Sequence, residues 1–147
     1  MIRVAVFNAH PRRRVRREPV QRTVRHVVRA ERKRSADMTV VFIDGRRSAR
    51  LNREFLGHRG STDVISFPLH EGGTAEGEVY VNLDRARTQA RAYGVTEANE
   101  IVRLVVHGIL HVLGYEDSTE PLRRRMKLRE DRYVNAFSPA LSPKRAA

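Results

Sequence analysis

Short runs of branched and aromatic residues along the chain predict four β-strands. Turn residues or a proline close the runs, as Asp44-Gly45 closes the second and Pro68 the third. A basic loop over residues 11–18 follows the first run, and a glycine-rich segment over residues 71–77 predicts a flexible connection before the fourth. The predicted strands cover residues 2–7, 38–43, 64–67 and 78–81.

Apolar residues that recur at three- and four-residue spacing predict five helices. Residues with helix-end preferences support the boundaries: Gly94 as a stop, Thr96 and Thr119 as N-caps, and Pro121 in a first turn. The tail from residue 138 is basic and rich in proline, serine and alanine, which predicts disorder. The predicted helices cover residues 19–31, 47–56, 83–93 and 97–113, and a last helix carries Leu122, Met126, Tyr133 and Val134.

The helix predicted over residues 97–113 is apolar over more than half of its circumference, so it belongs in the centre of a core. One narrow polar stripe interrupts this surface. Because unpartnered imidazoles are costly to bury, its histidines either pair with buried polar groups or face a cleft. The stripe holds Glu100, Arg103, His107 and His111, with Gly108 at its edge.

The segment HGILHVLGYED, from His107 to Asp117, has the spacing of a metal site. Residues four apart project from one helix face, so His107 and His111 can bind the same cation. Gly114 stands where the helix should end, and a chain reversal there would bring Asp117 beside them. These three side chains are the predicted metal ligands, with open positions for water and substrate. The alternative is a pair of core histidines bonded to backbone, followed by an ordinary helix end.

The same segment matches the zinc-peptidase pattern H-E-x-x-H-x-x-G-x-x-H in spacing but lacks its general base. Gly108 stands where peptidases have the glutamate that accepts a proton from water. This difference argues against a peptidase. The glycine also predicts space beside the metal for a bulky group such as a phosphodiester.

Length and composition exclude several classes of protein. A chain of 147 residues suits one domain with a modest core. Because it contains no cysteine, it has no disulfide framework, and any metal must be held by His, Asp or Glu. The apolar runs are too short to cross a membrane, and the N-terminus lacks signal-peptide features. A cytoplasmic location is therefore expected.

The formal net charge of +12 favours a polyanionic partner, with RNA or DNA as the first candidates. Coding composition is an alternative source of this charge, since the chain has 26 arginines and only 3 lysines. The arginines of the predicted helix over residues 19–31 form either an RNA-contacting surface or a solvated face.

Three sequence blocks, with their order along the chain, resemble the YbeY family of bacterial metal-dependent endoribonucleases. The blocks are LNREFLGHRGSTDVISFP (51–68), GEVYVN (77–82) and HGILHVLGYED (107–117). The resemblance covers roughly residues 38–134, and it implies one YbeY-like domain over residues 1–137. The implied fold is an α/β (α+β) domain with a four-stranded mixed β-sheet packed against about five helices, and with a metal-binding central helix.

The resemblance also implies a function. A member of this family would be a single-strand-specific endoribonuclease of the cytoplasm with one bound Zn²⁺. Its partners would be ribosomal RNA and the small ribosomal subunit. Its role would be maturation of the 3′ end of small-subunit ribosomal RNA and ribosome quality control.

Two positions depart from the family pattern. The third ligand is most often histidine in the family, whereas this chain has Asp117, which makes other divalent metals such as iron more plausible. A functional arginine of the family is replaced by Leu56. Arg59, three residues later, is the candidate for contacting phosphate in its place, and the alternative is an ordinary loop arginine.

The expected chemistry uses a metal-bound water as the catalytic group, or the 2′-hydroxyl of the RNA itself as the attacking group. Thr62 and Asp63 are expected to fix a loop and a strand entry, Glu116 to be exposed, and Met126 to lie in the core. Two other functions stay open. One is a metal-dependent hydrolase of another substrate, and the other is a non-catalytic ribosome assembly factor with a structural metal.

Overall fold

A computed structural model describes residues 1–69, 75–137 and 144–145. The four predicted strands and five predicted helices are present, with ends that differ by a few residues. The elements within the described residues are β1 (Ile2–Asn8), β2 (Arg13–Arg14), α1 (Arg17–Ala30), β3 (Ala36–Ile43), α2 (Gly45–Leu56), β4 (Val64–Pro68), β5 (Ala75–Asn82), α3 (Leu83–Tyr93), α4 (Glu97–Val112), α5 (Glu120–Phe137) and β6 (Lys144–Arg145).

Three elements differ from the predicted pattern. Strand β2 lies within the segment predicted as a basic loop, and it pairs with β6 in an antiparallel ribbon. Strand β5 begins at Ala75, inside the predicted flexible connection. Residues 71–74 of that connection lie outside the described residues. The same holds for residues 138–143 and 146–147, where the disorder predicted for the tail stays a prediction. Residues 144–145 of that tail form β6.

The main sheet has the strand order β1-β3-β5-β4. Strands β1, β3 and β5 are parallel, and β4 runs antiparallel to β5 at one edge. The helices α1, α2, α3 and α4 all contact this sheet, and α5 packs on α4. This arrangement confirms the predicted α/β class with a four-stranded mixed sheet. It also places the edge strand β4 directly against α4.

Local capping explains where the central helices begin and end. The side chain of Thr96 accepts a hydrogen bond from the backbone N–H of Asn99 at 3.0 Å, as an N-cap does. Gly94 ends α3 in the left-handed conformation with φ of 68°. Thr119 accepts from the N–H of Leu122 at 3.3 Å at the start of α5. These three predicted boundaries are therefore confirmed.

Helix α4 lies in the centre of the core, as its apolar surface predicts. Six of its side chains have no exposed surface, and they pack in one cluster with residues of α1, the sheet and α5. Although α4 is the most apolar helix, no helix among the described residues is long and apolar enough to span a membrane. The six residues are Ile101, Val102, Val105, Val106, Ile109 and Leu110.

Gly108 lies against the sheet and not toward open space. A Cβ atom built at this position would lie 2.3 Å from Cγ1 of Val79 and 3.2 Å from Oγ of Ser66. Ser66 Oγ also donates a hydrogen bond to the carbonyl oxygen of Gly108 at 3.1 Å. The prediction that this glycine leaves room for substrate is therefore wrong. Its missing side chain lets α4 approach β4 and β5 closely.

Candidate metal centre

The three predicted ligands lie together at the C-terminal end of α4. The Nε2 atoms of His107 and His111 are 3.0 Å apart, and each is 3.5 Å from Oδ2 of Asp117. Tetrahedral coordination with bonds of 2.0–2.1 Å separates neighbouring ligand atoms by about 3.3 Å. One ion can therefore reach all three atoms, with a fourth position left for another ligand.

The turn after α4 brings Asp117 to this position. Gly114 has φ of 104°, a conformation that a side chain would strain. The N–H of Gly114 donates to the carbonyl of His111, and the N–H of Tyr115 donates to that of Leu110, both at 3.0 Å. The chain then runs back along the helix, which is the reversal that the glycine predicts.

Glu31 holds this turn from the end of α1. Its side chain is only 4% exposed, and its carboxylate accepts hydrogen bonds from the hydroxyls of Tyr115 and Tyr133 and from Arg129. Burial by itself raises the pKa of Glu31, but the two tyrosine hydrogen bonds and Arg129 outweigh it and hold the pKa below its ordinary value. The carboxylate therefore ties Tyr115, two residues before Asp117, to both α1 and α5.

Glu130 of α5 contacts the first histidine directly. Nδ1 of His107 donates a hydrogen bond to Oε2 of Glu130 at 2.7 Å, and Arg103 donates to Oε1 at 3.3 Å. With its proton on Nδ1, the imidazole presents the Nε2 lone pair to His111 and Asp117. A metal ion at Nε2 would complete a carboxylate–histidine–metal arrangement.

The pKa of His107 reflects these neighbours. Burial lowers the pKa, but the hydrogen bond and charge of Glu130, with the charges of Asp117 and Asp63, raise it above the ordinary value overall. Metal binding at Nε2 therefore competes with protonation of His107, which the surrounding carboxylates favour.

Glu130 is not among the residues that the sequence predicts for the site. A signal was available, because residues 126, 130, 133 and 134 share one face of α5 and the other three are apolar. All four are buried, with Glu130 only 7% exposed. A carboxylate on a buried stripe needs a partner, and here the partners are His107 and Arg103.

The polar stripe of α4 is only partly open to a cleft. Glu100 is buried, and burial raises its pKa although Gln89 donates to it at 2.7 Å. The two histidine side chains are 24% and 27% exposed. Because His107 bonds to a carboxylate and both histidines reach solvent, the alternative of core histidines bonded to backbone is wrong.

Two clefts meet at the three side chains. The first has a volume of about 540 Å³ and lies between the α3–α4 turn and α5; we call it the α5 cleft. The second has a volume of about 650 Å³ and lies between β4 and the turn after α4; we call it the β4 cleft. His107 and Asp117 line both clefts. An extended substrate that crosses the centre could therefore occupy both sides.

The other residues that the sequence predicts near the site lie in different places. Arg59 is exposed in the loop after α2 and is not among the described residues lining either cleft, so its contact with phosphate stays a prediction. Leu56 lines the β4 cleft, as does Glu116, which is exposed as expected. Met126 is buried in the core, as predicted.

Thr62 and Asp63 shape the loop before β4, which confirms their predicted structural role. The carbonyl of Thr62 accepts hydrogen bonds from Ser48 Oγ at 2.9 Å and from Asn82 Nδ2 at 3.0 Å. Asp63 Oδ1 accepts from the N–H of Val64 at 2.8 Å. Asp63 also lines the β4 cleft.

Fold and site together define an α/β protein with a His-His-Asp centre between two clefts. The family described as Endoribonuclease YbeY matches residues 6–138. The protein named Endoribonuclease YbeY from Salinibacter ruber is 35% identical over 95% of this chain and 94% of its own length. The protein of that name from Chlorobium phaeovibrioides is 37% identical over 84% of this chain and 83% of its own.

A solved structure has the same fold. The solution structure of TM1509 from Thermotoga maritima superposes with a TM-score of 0.63 at 24% identity, covering 93% of this chain and 89% of that one. The chain belongs to the YbeY family of endoribonucleases.

Proposed function

We propose that the chain is a single-strand-specific endoribonuclease that binds one zinc ion through His107, His111 and Asp117 and matures the 3′ end of small-subunit ribosomal RNA. Family membership supports the endoribonuclease activity, because the matched relatives carry that name. The observation that carries the metal site is the triangle of ligand atoms, with edges of 3.0, 3.5 and 3.5 Å.

The donor set fits a catalytic zinc ion. Two imidazole nitrogens and one carboxylate oxygen leave an open position, whereas structural zinc sites are closed by four protein ligands. The partial exposure of both histidines agrees with an open site and disfavours a purely structural metal. Two histidines and one carboxylate also suit ferrous iron, which is therefore the second candidate.

The protein groups have separate tasks in this proposal. When bound, the metal supplies Lewis acidity and lowers the pKa of water at the open position. Glu130 holds the tautomer and orientation of His107 through the 2.7 Å hydrogen bond. Glu31 fixes the turn that carries Asp117 through Tyr115. Because Gly108 replaces the glutamate of zinc peptidases, hydrolysis of peptides is disfavoured.

The net charge of +12 suits a polyanionic substrate. We propose ribosomal RNA as that substrate, the small ribosomal subunit as the particle on which the enzyme acts, and the cytoplasm as its location. Residues 1–137 would form the nuclease domain. Arg59 remains a candidate phosphate contact of this domain.

The test combines metal analysis with RNA cleavage. Purified protein should contain about one metal ion per chain, consistent with a single centre, and should cut a structured ribosomal RNA fragment until a chelator is added. His111→Ala should lose both metal and cleavage. His58→Ala replaces an exposed histidine in the loop after α2 and should change neither.

The outcomes separate the candidate functions. If His111→Ala cleaves RNA at the normal rate, the activity comes from a contaminating nuclease, and the assignment of the metal centre as the active site is wrong. Metal retention with salt-sensitive binding to ribosomal particles, but without metal-dependent cleavage, would favour an assembly factor. Cleavage of a peptide or a small phosphoester in place of RNA would indicate a different hydrolase.

A further inference from the structure

The two clefts beside the metal centre differ in charge. Arg103, Arg123 and Lys127 line the α5 cleft and offset its three carboxylates, whereas the described residues lining the β4 cleft include no lysine or arginine. The carboxylates of the α5 cleft are those of Glu100, Asp117 and Glu130. Asp63 and Glu116 line the β4 cleft instead. Because a phosphate backbone is attracted to the more positive surface, the α5 cleft is the better path for the phosphates of a bound strand.

The three cationic side chains that line the α5 cleft differ in how firmly their partners hold them. Arg103 is held by Glu130 at 3.3 Å and Asp131 at 2.8 Å, so it belongs to the wall. Arg123 and Lys127 lie four residues apart on α5, and therefore project from the same face. Arg123 Nη1 is 3.4 Å from the carbonyl oxygen of Asp117, which places this guanidinium beside the turn that carries the third ligand.

The present partners of Arg123 and Lys127 are exposed carboxylates. Arg123 lies 3.0 Å from Glu120, and Lys127 lies 3.8 Å from Asp131. Exposed pairs of this kind stabilise a fold by less than about 1 kcal/mol. A phosphate can therefore replace the carboxylates at little cost to the protein.

An exposed aromatic ring completes the cleft. Tyr93 is the last residue of α3, lines the α5 cleft and is 64% exposed. It comes from the opposite wall to Arg123 and Lys127, because the cleft lies between the α3–α4 turn and α5. Nucleic-acid sites for single strands combine cations along the backbone with aromatic rings on which bases stack.

We propose that the α5 cleft binds the RNA strand on one side of the scissile phosphate, with Arg123 and Lys127 on its phosphates and Tyr93 stacked on a base. The cleft volume of about 540 Å³ falls in the range of sites for small ligands and has room for about one nucleotide. This inference rests on the proposed nuclease function and adds to it the path of the substrate.

The test measures binding separately from cleavage. Metal-loaded protein is titrated against a single-stranded 2′-O-methyl phosphorothioate oligonucleotide, which resists cleavage, at several salt concentrations. Arg123→Ala/Lys127→Ala should weaken binding about tenfold and reduce the slope of log affinity against log salt by about 1.4, because two phosphate contacts are lost. Lys33→Ala/Arg34→Ala removes the same charges from exposed positions in the turn after α1, and should leave the affinity near that of the wild type.

Tyr93 provides an independent readout. Tyr93→Ala should weaken binding about tenfold without changing the salt slope, whereas Tyr93→Phe should bind like the wild type because the ring is kept. If Arg123→Ala/Lys127→Ala and Tyr93→Ala bind like the control pair while the wild type cuts RNA, the cleft is not the substrate path. If the variants lose binding as expected but the wild type cuts no RNA, the nuclease function fails and the RNA-binding cleft stands.

Discussion

Glu130 accepts a hydrogen bond from Nδ1 of His107 at 2.7 Å, and this contact joins α5 to the helix that carries two of the predicted metal ligands. The two residues are 23 positions apart in the chain. The carboxylate fixes which imidazole nitrogen carries the proton and increases the basicity of the other. The properties of the centre therefore depend on a residue that is not itself a predicted ligand.

The variant Glu130→Gln tests this dependence. An amide keeps the size of the side chain but loses the charge, so the metal affinity should fall about 10- to 100-fold. Competition with a chromogenic chelator measures the affinity. Asp131→Asn is the matched control, because Asp131 also pairs with Arg103 but makes no contact with His107. Equal affinities of the two variants would contradict the proposed role.

The charge of Asp117 should set the pH dependence of cleavage. Asp117→His replaces an anionic ligand by a neutral one, so the ion keeps more of its positive charge and the adjoining water loses its proton more readily. The pH at which cleavage reaches half of its plateau should move down by about one unit. Glu116→His at the exposed neighbouring position should leave this pH unchanged. An unshifted midpoint in Asp117→His with full metal content would show that Asp117 is not a ligand.

Because Gly108 lies so close to Val79, the addition of a single methyl group at Gly108 should destabilise the fold. Gly108→Ala should lower the free energy of unfolding by about 1–3 kcal/mol, because the added Cβ overlaps Cγ1 of a fully buried Val79. Alanine favours a helix over glycine by about 1 kcal/mol, which opposes but does not cancel this effect.

Denaturant unfolding in a double-mutant cycle isolates the overlap. In a Val79→Ala background the valine methyl groups are absent, and Gly108→Ala should then be nearly neutral or stabilising. An equal loss in both backgrounds would mean that the overlap is relieved by movement of the helix, and that Gly108 is not required by this contact.

Glu31 should contribute stability that depends on pH. Its pKa lies below the ordinary value, so the contribution is fully present above the unfolded pKa of about 4.5 and is lost as the pH falls through the folded pKa. Glu31→Gln should destabilise the protein at pH 7 by about 2 kcal/mol, through weaker hydrogen bonds to Tyr115 and Tyr133.

Unfolding free energies measured between neutral and acidic pH give the readout for Glu31. The difference between wild type and Glu31→Gln should narrow below about pH 4.5 as the wild-type carboxylate becomes protonated. Glu54→Gln at an exposed position of α2 serves as control and should show a small difference. A gap that stays constant down to acid pH would show that the charge of Glu31 does not stabilise the turn.

Several features of this protein follow from the sequence by itself. The apolar surface of α4, the shared face of His107 and His111, and the reversal at Gly114 all depend on residues within one helix and the turn that follows it. Helix ends at Gly94 and Thr96 are equally local. Physical rules with a range of a few residues are sufficient for these features, so the three side chains of the candidate metal centre and most element boundaries could be predicted without a structure.

Other features were decided only by the tertiary structure, because they depend on how distant elements pack. Glu130 reaches His107 only after α5 docks on α4, and Glu31 reaches Tyr115 only when α1 lies beside the turn. The same pattern of residues could not show whether Gly108 faces substrate or sheet, since that depends on the rotation of α4 against Val79. The unequal charge of the two clefts likewise arises from side chains of separate elements that the sequence alone does not bring together.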